Sequence, residues 1–326
     1  MALTEEGLLR VPGLHSRWVR LANGAVAHYV TAGEDGPPIV LLHGGLPGSS
    51  GTVGWRFMAP FLAEQGFQVF CPDQPGFGLS DPRPEHWPTR GTLSHVEFLE
   101  QFVEAVCLDR FHLAGNSMGC LNTATYAVRY PHRVLSFALI AGMIGDQHPI
   151  DLVRHGRIPA PWTGDREAMR RMLGAIVHEQ SALTEDLLEM RMRSADRQMG
   201  SYNTFRETVL LGQIPEHVKL AITTKDRLDR IGIPAVALWG MDDAAIPVTI
   251  GYEVEEALPE VQFFYPENCG HQGQTDQPEL FNQVFLEFFR DGLVQRATAD
   301  RANVSRHRPE VAGRIADQAD SAPVPA

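Results

Sequence analysis

The sequence predicts an α/β fold, a mostly parallel central sheet flanked by helices and interrupted by an inserted helical segment. The apolar runs IVLLH, FQVFCPD, FHLAGN and VLSFALIAG recur with helix-like stretches between them, and strands lacking polar alternation are those covered on both faces, as in parallel sheets. That rhythm stops from about residue 145 to 215, where segments rich in charge and methionine follow one another, and resumes with IPAVALWG at 233–240. The expected division is a core of residues 1–144 and 216–291, a helical cap of 145–215, and a tail of 292–326. The tail is too poor in large apolar groups to offset its ordering entropy and is expected to be disordered.

The first expected element is a hairpin, because Asn23-Gly24 joins two short runs with the dipeptide that suits a tight turn. Between the second and third apolar runs, Val96, Leu99, Phe102, Val103 and Val106 fall at near-helical spacing and predict a helix over 94–108 packed on the sheet. In the cap, Thr184 followed by Glu185 and Asp186 predicts a helix start, running through Arg191, with acids at its positive end. Asp276-Gln277-Pro278-Glu279 has the form of a capped start. The helix that follows has its core stripe at Leu280, Phe281, Val284, Phe285, Phe288 and Phe289.

Over 326 residues, 44% are hydrophobic, enough to bury a sizeable core without staples. The formal charge of −12 disfavours nucleic acid and anionic membranes as partners, so a small-molecule substrate is expected. Cys71, Cys107, Cys120 and Cys269 are scattered without ligand spacing, so buried free thiols are expected, with no metal and no cofactor. The N-terminal stretch has no apolar run of signal-peptide length, and nothing approaches the roughly eighteen apolar residues that span a bilayer. A cytoplasmic protein is expected.

The chemistry centres on Gly115-Asn116-Ser117-Met118-Gly119, a G-x-S-x-G sequence directly after the run FHLA and before a helix-like stretch. A tight strand-to-helix elbow exposes its central side chain above the sheet, with small neighbours avoiding collisions. A serine hydroxyl needs a positioned base and a group that orients the base. Of the thirteen histidines, His271 lies on a strand-to-helix loop late in the sheet, where a base would reach the elbow. The acid should lie between serine and base in chain order. Asp243, in Gly240-x-x-Asp243-x-x-x-Pro247, is assigned that role, with Asp242 as a solvated neighbour. The loop His43-Gly44-Gly45 follows the first parallel strand, and the Gly45 and Met118 amides are the natural donors to a developing oxyanion.

With these residues in place, the stretch from about 20 to 290, including the loop DQPGFGLSD at 73–81, resembles the α/β-hydrolase superfamily. HGGLPG at 43–48, GNSMG at 115–119 and ALTEDLLEMR at 182–191 are similar to the meta-cleavage-product hydrolases, which cut carbon–carbon bonds in vinylogous 1,5-diketones from aromatic-ring degradation. The resemblance implies that Asn116 helps place the substrate and that Arg191 holds its carboxylate or dienolate end. Gly44 and Gln272 complete the implied substrate contacts. Two positions depart from that pattern: Gln272 stands where Trp is common, and Phe57 where Asn is usual. The resemblance implies no cofactor and leaves a homo-oligomer open. Carboxylester or lactone hydrolysis uses the same triad and stays open, as does a low-turnover ligand receptor on the same fold.

Overall fold

The computed structural model describes residues 3–142, 144, 161–224, 226–308, 310, 311 and 313–316. Its main sheet has eight strands in the order β1-β2-β4-β3-β5-β6-β7-β8. They are β1 His15–Arg20, β2 Val26–Ala32, β3 Pro38–Leu42, β4 Gln68–Pro72, β5 Phe111–Asn116, β6 Val134–Ile140, β7 Ala235–Leu238 and β8 Val261–Phe264. Only β2 runs antiparallel, to both β1 and β4; the six strands from β4 to β8 pair parallel. The expected hairpin is β1–β2, and the four early apolar runs are β3 to β6.

Helices cover both faces, so the central strands are buried along most of their length. Between β3 and β4 lie α1 Gly51–Trp55 and α2 Met58–Glu64. The helix expected over 94–108 is α3 Thr92–Ala105, and the elbow opens α4 Met118–Arg129. The far end carries α9 Val248–Ala257, the short α10 Gly273–Asp276 and α11 Pro278–Asp291. The apolar stripe expected on α11 is buried, and each of its four phenylalanines contributes roughly 1.5–3 kcal/mol by leaving water.

Between β6 and β7 the chain departs into α5 Arg166–Gly174, α6 Glu185–Arg197, α7 Met199–Phe205 and α8 Glu216–Ile222. Residues 145–160 of the expected cap lie outside the described residues. Thr184 caps α6 by accepting from the Leu187 amide at 3.2 Å. The helix runs six residues past Arg191, to Arg197, because no breaker follows and Ala195 packs on the same buried side. A second apolar cluster, including Met169, Leu173, Leu188, Tyr202 and Phe205, joins this insertion to Phe77 and Met118. The insertion thereby sits over the start of α4.

The C-terminal segment differs from expectation as far as Ala316. It forms β9 Val294–Gln295, α12 Arg296–Arg301 and β10 Ile315–Ala316, and Val294, Ala299 and Ala302 are part of the main core. Small apolar groups are joined by polar contacts to the preceding helix: Glu287 accepts from the Gln295 amide and the Thr298 hydroxyl, each at 2.8 Å. Residues 317–326 lie outside the described residues. Among the thiols, Cys71, Cys120 and Cys269 are buried, whereas Cys107 is exposed just past the end of α3. No helix among the described residues is long and apolar enough to cross a membrane.

One buried carboxylate ties three elements together on the way to the site. Asp73, after β4, accepts from the Gly51 amide, the Leu79 amide and the His28 ring, each at 2.7 Å. Burial works to raise its pKa, but the His28 charge and hydrogen bond, helped by His43 and the Leu79 amide, outweigh that and lower it. With a native pKa below the unfolded value of about 3.9, its stabilisation is full above that value and is lost as pH falls through the native pKa. Asp73→Asn, which sets an amide donor against one of these donors, should cost about 2–3 kcal/mol at pH 7. Urea unfolding of both proteins at descending pH should show the gap narrowing; a gap independent of pH would count against this account.

Candidate active site

Ser117 stands at the turn between β5 and α4 with φ 58° and ψ −117°, a conformation that costs a non-glycine residue roughly 1–3 kcal/mol. Its surroundings hold it there. The Ser117 amide donates to Ile140 O and the Cys120 amide donates to Ser117 O, both at 2.9 Å. Residue 119 must come close to the neighbouring strand, for a Cβ there would lie 2.2 Å from the Leu42 carbonyl oxygen. Backbone cannot yield as a side chain does, so Gly119→Ala should lose about 3 kcal/mol and, by displacing the elbow, most of the activity. Thermal unfolding and turnover read together test this; a variant of wild-type stability would refute it.

The other two chemical groups come from the loops after β7 and β8. His271 Nδ1 meets Asp243 Oδ2 at 2.8 Å, with both side chains buried. Asp243 Oδ1 accepts from the Ala245 and Ile246 amides, each at 2.8 Å, so both oxygens act as acceptors and the Nδ1 proton points at the carboxylate. This contact orients the ring and leaves Nε2 as the nitrogen turned away from Asp243. Asp242 is half exposed and approaches His178 at 3.5 Å, away from this contact.

The elbow and the histidine loop are joined through Asn116. Its Nδ2 donates to His271 O at 3.0 Å and to Ile140 O at 3.1 Å, while its Oδ1 is buried without a hydrogen bond. The amide donor of Asn116, a residue expected to help place the substrate, is thus engaged with the backbone, and only its acceptor end is free. Gly44 packs on the elbow, a Cβ there falling 3.3 Å from Ser117 Cβ. At Gly45 a Cβ would fall 3.1 Å from Met118 Cβ, so the two stretches expected to supply oxyanion donors are in contact. Gln272 is buried, and its amide donates to Ile176 O of the insertion at 3.0 Å.

The His43-Gly44-Gly45 loop is fixed by a buried network with no counterpart in sequence-based expectation. The Gln74 amide donates to His43 Nε2 at 3.0 Å, so the ring proton is on Nδ1, 2.8 Å from Gly44 O. Gln74 Nε2 returns to His43 O at 2.8 Å, and Asn122 Nδ2 donates to Gln74 Oε1 at 2.6 Å. Burial holds the His43 pKa below its ordinary value, which keeps the ring in the neutral form that this geometry requires.

Asp276 also has a different duty from the one its pattern suggests. The residue before Pro278 in α11 is Gln277, and no side chain caps that helix. Asp276 instead accepts from the His178 and Glu179 amides of the insertion at 2.8 and 3.0 Å, and from the Gly270 amide at 2.7 Å. It clamps the insertion to the loop that carries His271. A capping pattern in sequence cannot distinguish a local amide from a distant one.

Arg191, expected at the substrate's acid end, is 1% exposed. Its Nη2 donates to Pro47 O at 3.0 Å and Ser49 Oγ at 3.2 Å, on the loop that carries Gly44 and Gly45. Close approach to that loop is possible because residue 48 is glycine with φ 73°; a Cβ there would lie 2.1 Å from Arg191 O. Burial, with the Arg56 charge adding to it, lowers the Arg191 pKa to about 9, which leaves it a cation at neutral pH.

A family model described as alpha/beta hydrolase fold matches residues 37–278. A 2-hydroxy-6-oxononadienedioate/2-hydroxy-6-oxononatrienedioate hydrolase of Paraburkholderia phymatum is 28% identical over 291 residues, covering 84% of this chain and 95% of the relative. A 2-hydroxy-6-oxo-6-phenylhexa-2,4-dienoate hydrolase of Burkholderia cepacia is 29% identical over 280 residues, covering 81% and 91%. Among solved structures, a bacterial membrane phospholipase A superposes with a TM-score of 0.71 at 26% identity over 86% of each chain.

Proposed function

The chain belongs to the alpha/beta hydrolase fold family, and we propose that it hydrolyses the carbon–carbon bond beside a ketone in an acidic, meta-cleavage-product-like dienone. The observation that carries this reading is Arg191. It is a buried cation beside the Gly44-Gly45 loop, it forms no ion pair among the described residues, and its Nε is without a hydrogen-bond partner. A buried guanidinium is costly without an anion, and its planar fork fits a carboxylate. A neutral ester would leave that charge unmet. The names of the two relatives specify acids of this class.

In this reading Ser117, His271 and Asp243 form the catalytic triad. His271 Nε2 first helps move the proton of the 2-hydroxydienoate to the carbon that will leave, giving a ketone whose neighbouring bond is weakened. It then takes a proton from Ser117 or from a water as that oxygen attacks the carbonyl carbon. The resulting oxyanion is met by the Gly45 and Met118 amides. Collapse breaks the carbon–carbon bond. Over the whole reaction one water is consumed, its OH appearing on the acyl product and its hydrogen on the released 2-hydroxyalkenoate, with no net change in electrons. Asn116 holds the His271 loop against the elbow, and Gln272 and Gly44 line the substrate space.

The phospholipase likeness favours ester hydrolysis by the same groups as the second reading. Comparing kcat/KM on dienone ring-fission products and on neutral aryl esters separates the two. Dienone cleavage should be favoured, and efficient ester cleavage without dienone cleavage would overturn the proposal. Arg191→Met should lower kcat/KM on the acidic dienone by about 10–100-fold relative to the neutral ester, as loss of a charged hydrogen bond does. Equal losses on both would remove Arg191 from the acid end.

A further inference from the structure

A second buried guanidinium lies close by. Arg56 follows α1 directly and is 4% exposed. Its Nη1 donates to Val53 O at 2.7 Å, its Nη2 is sealed from solvent with no hydrogen-bond partner, and its guanidinium lies 4.4 Å over the Phe57 ring. Like Arg191 it forms no ion pair among the described residues, and its charge is near enough to help lower the Arg191 pKa. Burial brings its own pKa to about 10, still a cation at neutral pH.

The surroundings of α1, the helix that Arg56 follows, place it beside the site. A Cβ at Gly54 would lie 3.2 Å from His43 Cβ, which anchors the Gly44-Gly45 loop. Gln274, three residues after His271, reaches Gly54 O at 3.5 Å. Val53 packs in one apolar cluster with Met190, the neighbour of Arg191. Around this helix, Arg56 Nη2, Arg191 Nε and Trp55 Nε1 are buried donors without acceptors, against Gln274 Oε1 and Asn282 Oδ1 as unpaired acceptors, and the Thr52 hydroxyl, which can act either way, is also without a partner. Buried polar groups in folded proteins are nearly always paired. A surplus of donors with two positive charges is matched by an anion that brings several oxygens.

We infer that Arg56 supplies a second positive charge to the acid end of the substrate site, selecting a head group with two negative charges. The chemistry it fits is a carboxylate next to an ionised hydroxyl, as in a 2-hydroxydienoate that has given up its enol proton, or a carboxylate next to a second carboxylate. This rests on the proposed acid-binding role of Arg191 and deepens it. A single arginine balances a monoanion; two unpaired arginines in one buried region favour the dianion.

Isothermal titration with oxalate and with acetate, at matched ionic strength and neutral pH, tests this without requiring any turnover. Wild type should bind oxalate at least about tenfold more tightly than acetate. In Arg56→Met that ratio should collapse towards one while acetate affinity changes by less than about threefold. Arg56→Lys, which keeps the charge, covers the case in which the methionine variant does not fold and should keep most of the preference. An unchanged ratio in Arg56→Met, its loss in folded Arg56→Lys, or equal binding of both anions by wild type would overturn the inference. If the preference depends on Arg56 but dienones are not cleaved, the acid site stands and the proposed bond is wrong. If dienones are cleaved and the preference is absent, it is Arg56 that has been misassigned.

Discussion

Ser117→Ala should reduce kcat/KM on a dienone substrate by about 10⁴-fold or more, the loss seen when a triad nucleophile is removed and only oxyanion donors and binding remain. Its stability should stay within about 1 kcal/mol of wild type, as for a change that removes no structural contact. The second half follows from the geometry: the Ser117 backbone holds the elbow through Ile140 and Cys120, whereas its hydroxyl makes no hydrogen bond among the described residues. Alanine inherits the same strained φ, so the cost of the turn is unchanged. Retained binding completes the test. The variant should still bind a 2-hydroxydienoate product, because Arg191, the proposed acid-binding group, is untouched. Following loss of dienone absorbance under single-turnover conditions gives the rate, and a variant with a tenth of wild-type activity or more would show that the hydroxyl is not the attacking group or its direct partner.

Much of this was legible in the sequence because local patterns carried it. The apolar runs became β3 to β6 and the Asn23-Gly24 turn became the β1–β2 hairpin. The G-x-S-x-G context located the elbow, since the spacing of small residues reflects a close approach that a Cβ would block at Gly119. The His271–Asp243 contact joins residues 28 apart, and each was found from its place after a strand. What escaped was non-local. Asp276 has the form of a helix cap, yet its acceptors serve the Gly270, His178 and Glu179 amides. The tail is poor in large apolar groups, but its described part is tied to another helix through Glu287, which accepts from the Gln295 amide and the Thr298 hydroxyl. Arg56 has no motif at all, and only its burial without an acid among the described residues marks it.

Asp243→Asn should lower kcat by about 10⁴-fold while leaving the fold intact, and the reason lies in how the carboxylate is shared. Asp243 Oδ1 already serves the Ala245 and Ile246 amides, and Oδ2 serves His271 Nδ1. An asparagine has one carbonyl oxygen, and two backbone donors hold it on their side. Its NH2 then faces His271 Nδ1, which can respond only by presenting a lone pair, moving the ring proton to Nε2. The imidazole keeps its position but offers a donor to Ser117 where the reaction needs an acceptor. Unfolding should therefore change by no more than about 1–2 kcal/mol, the range of a single exchanged hydrogen bond. The rate should recover partly at high pH, where hydroxide can replace the lost base. Nitrogen-15 shifts of the His271 ring would report the tautomer directly. An Asp243→Asn variant that keeps Nδ1 protonated, or turns over within tenfold of wild type, would remove Asp243 from the orienting role and return the assignment to Asp242 or to no acid at all.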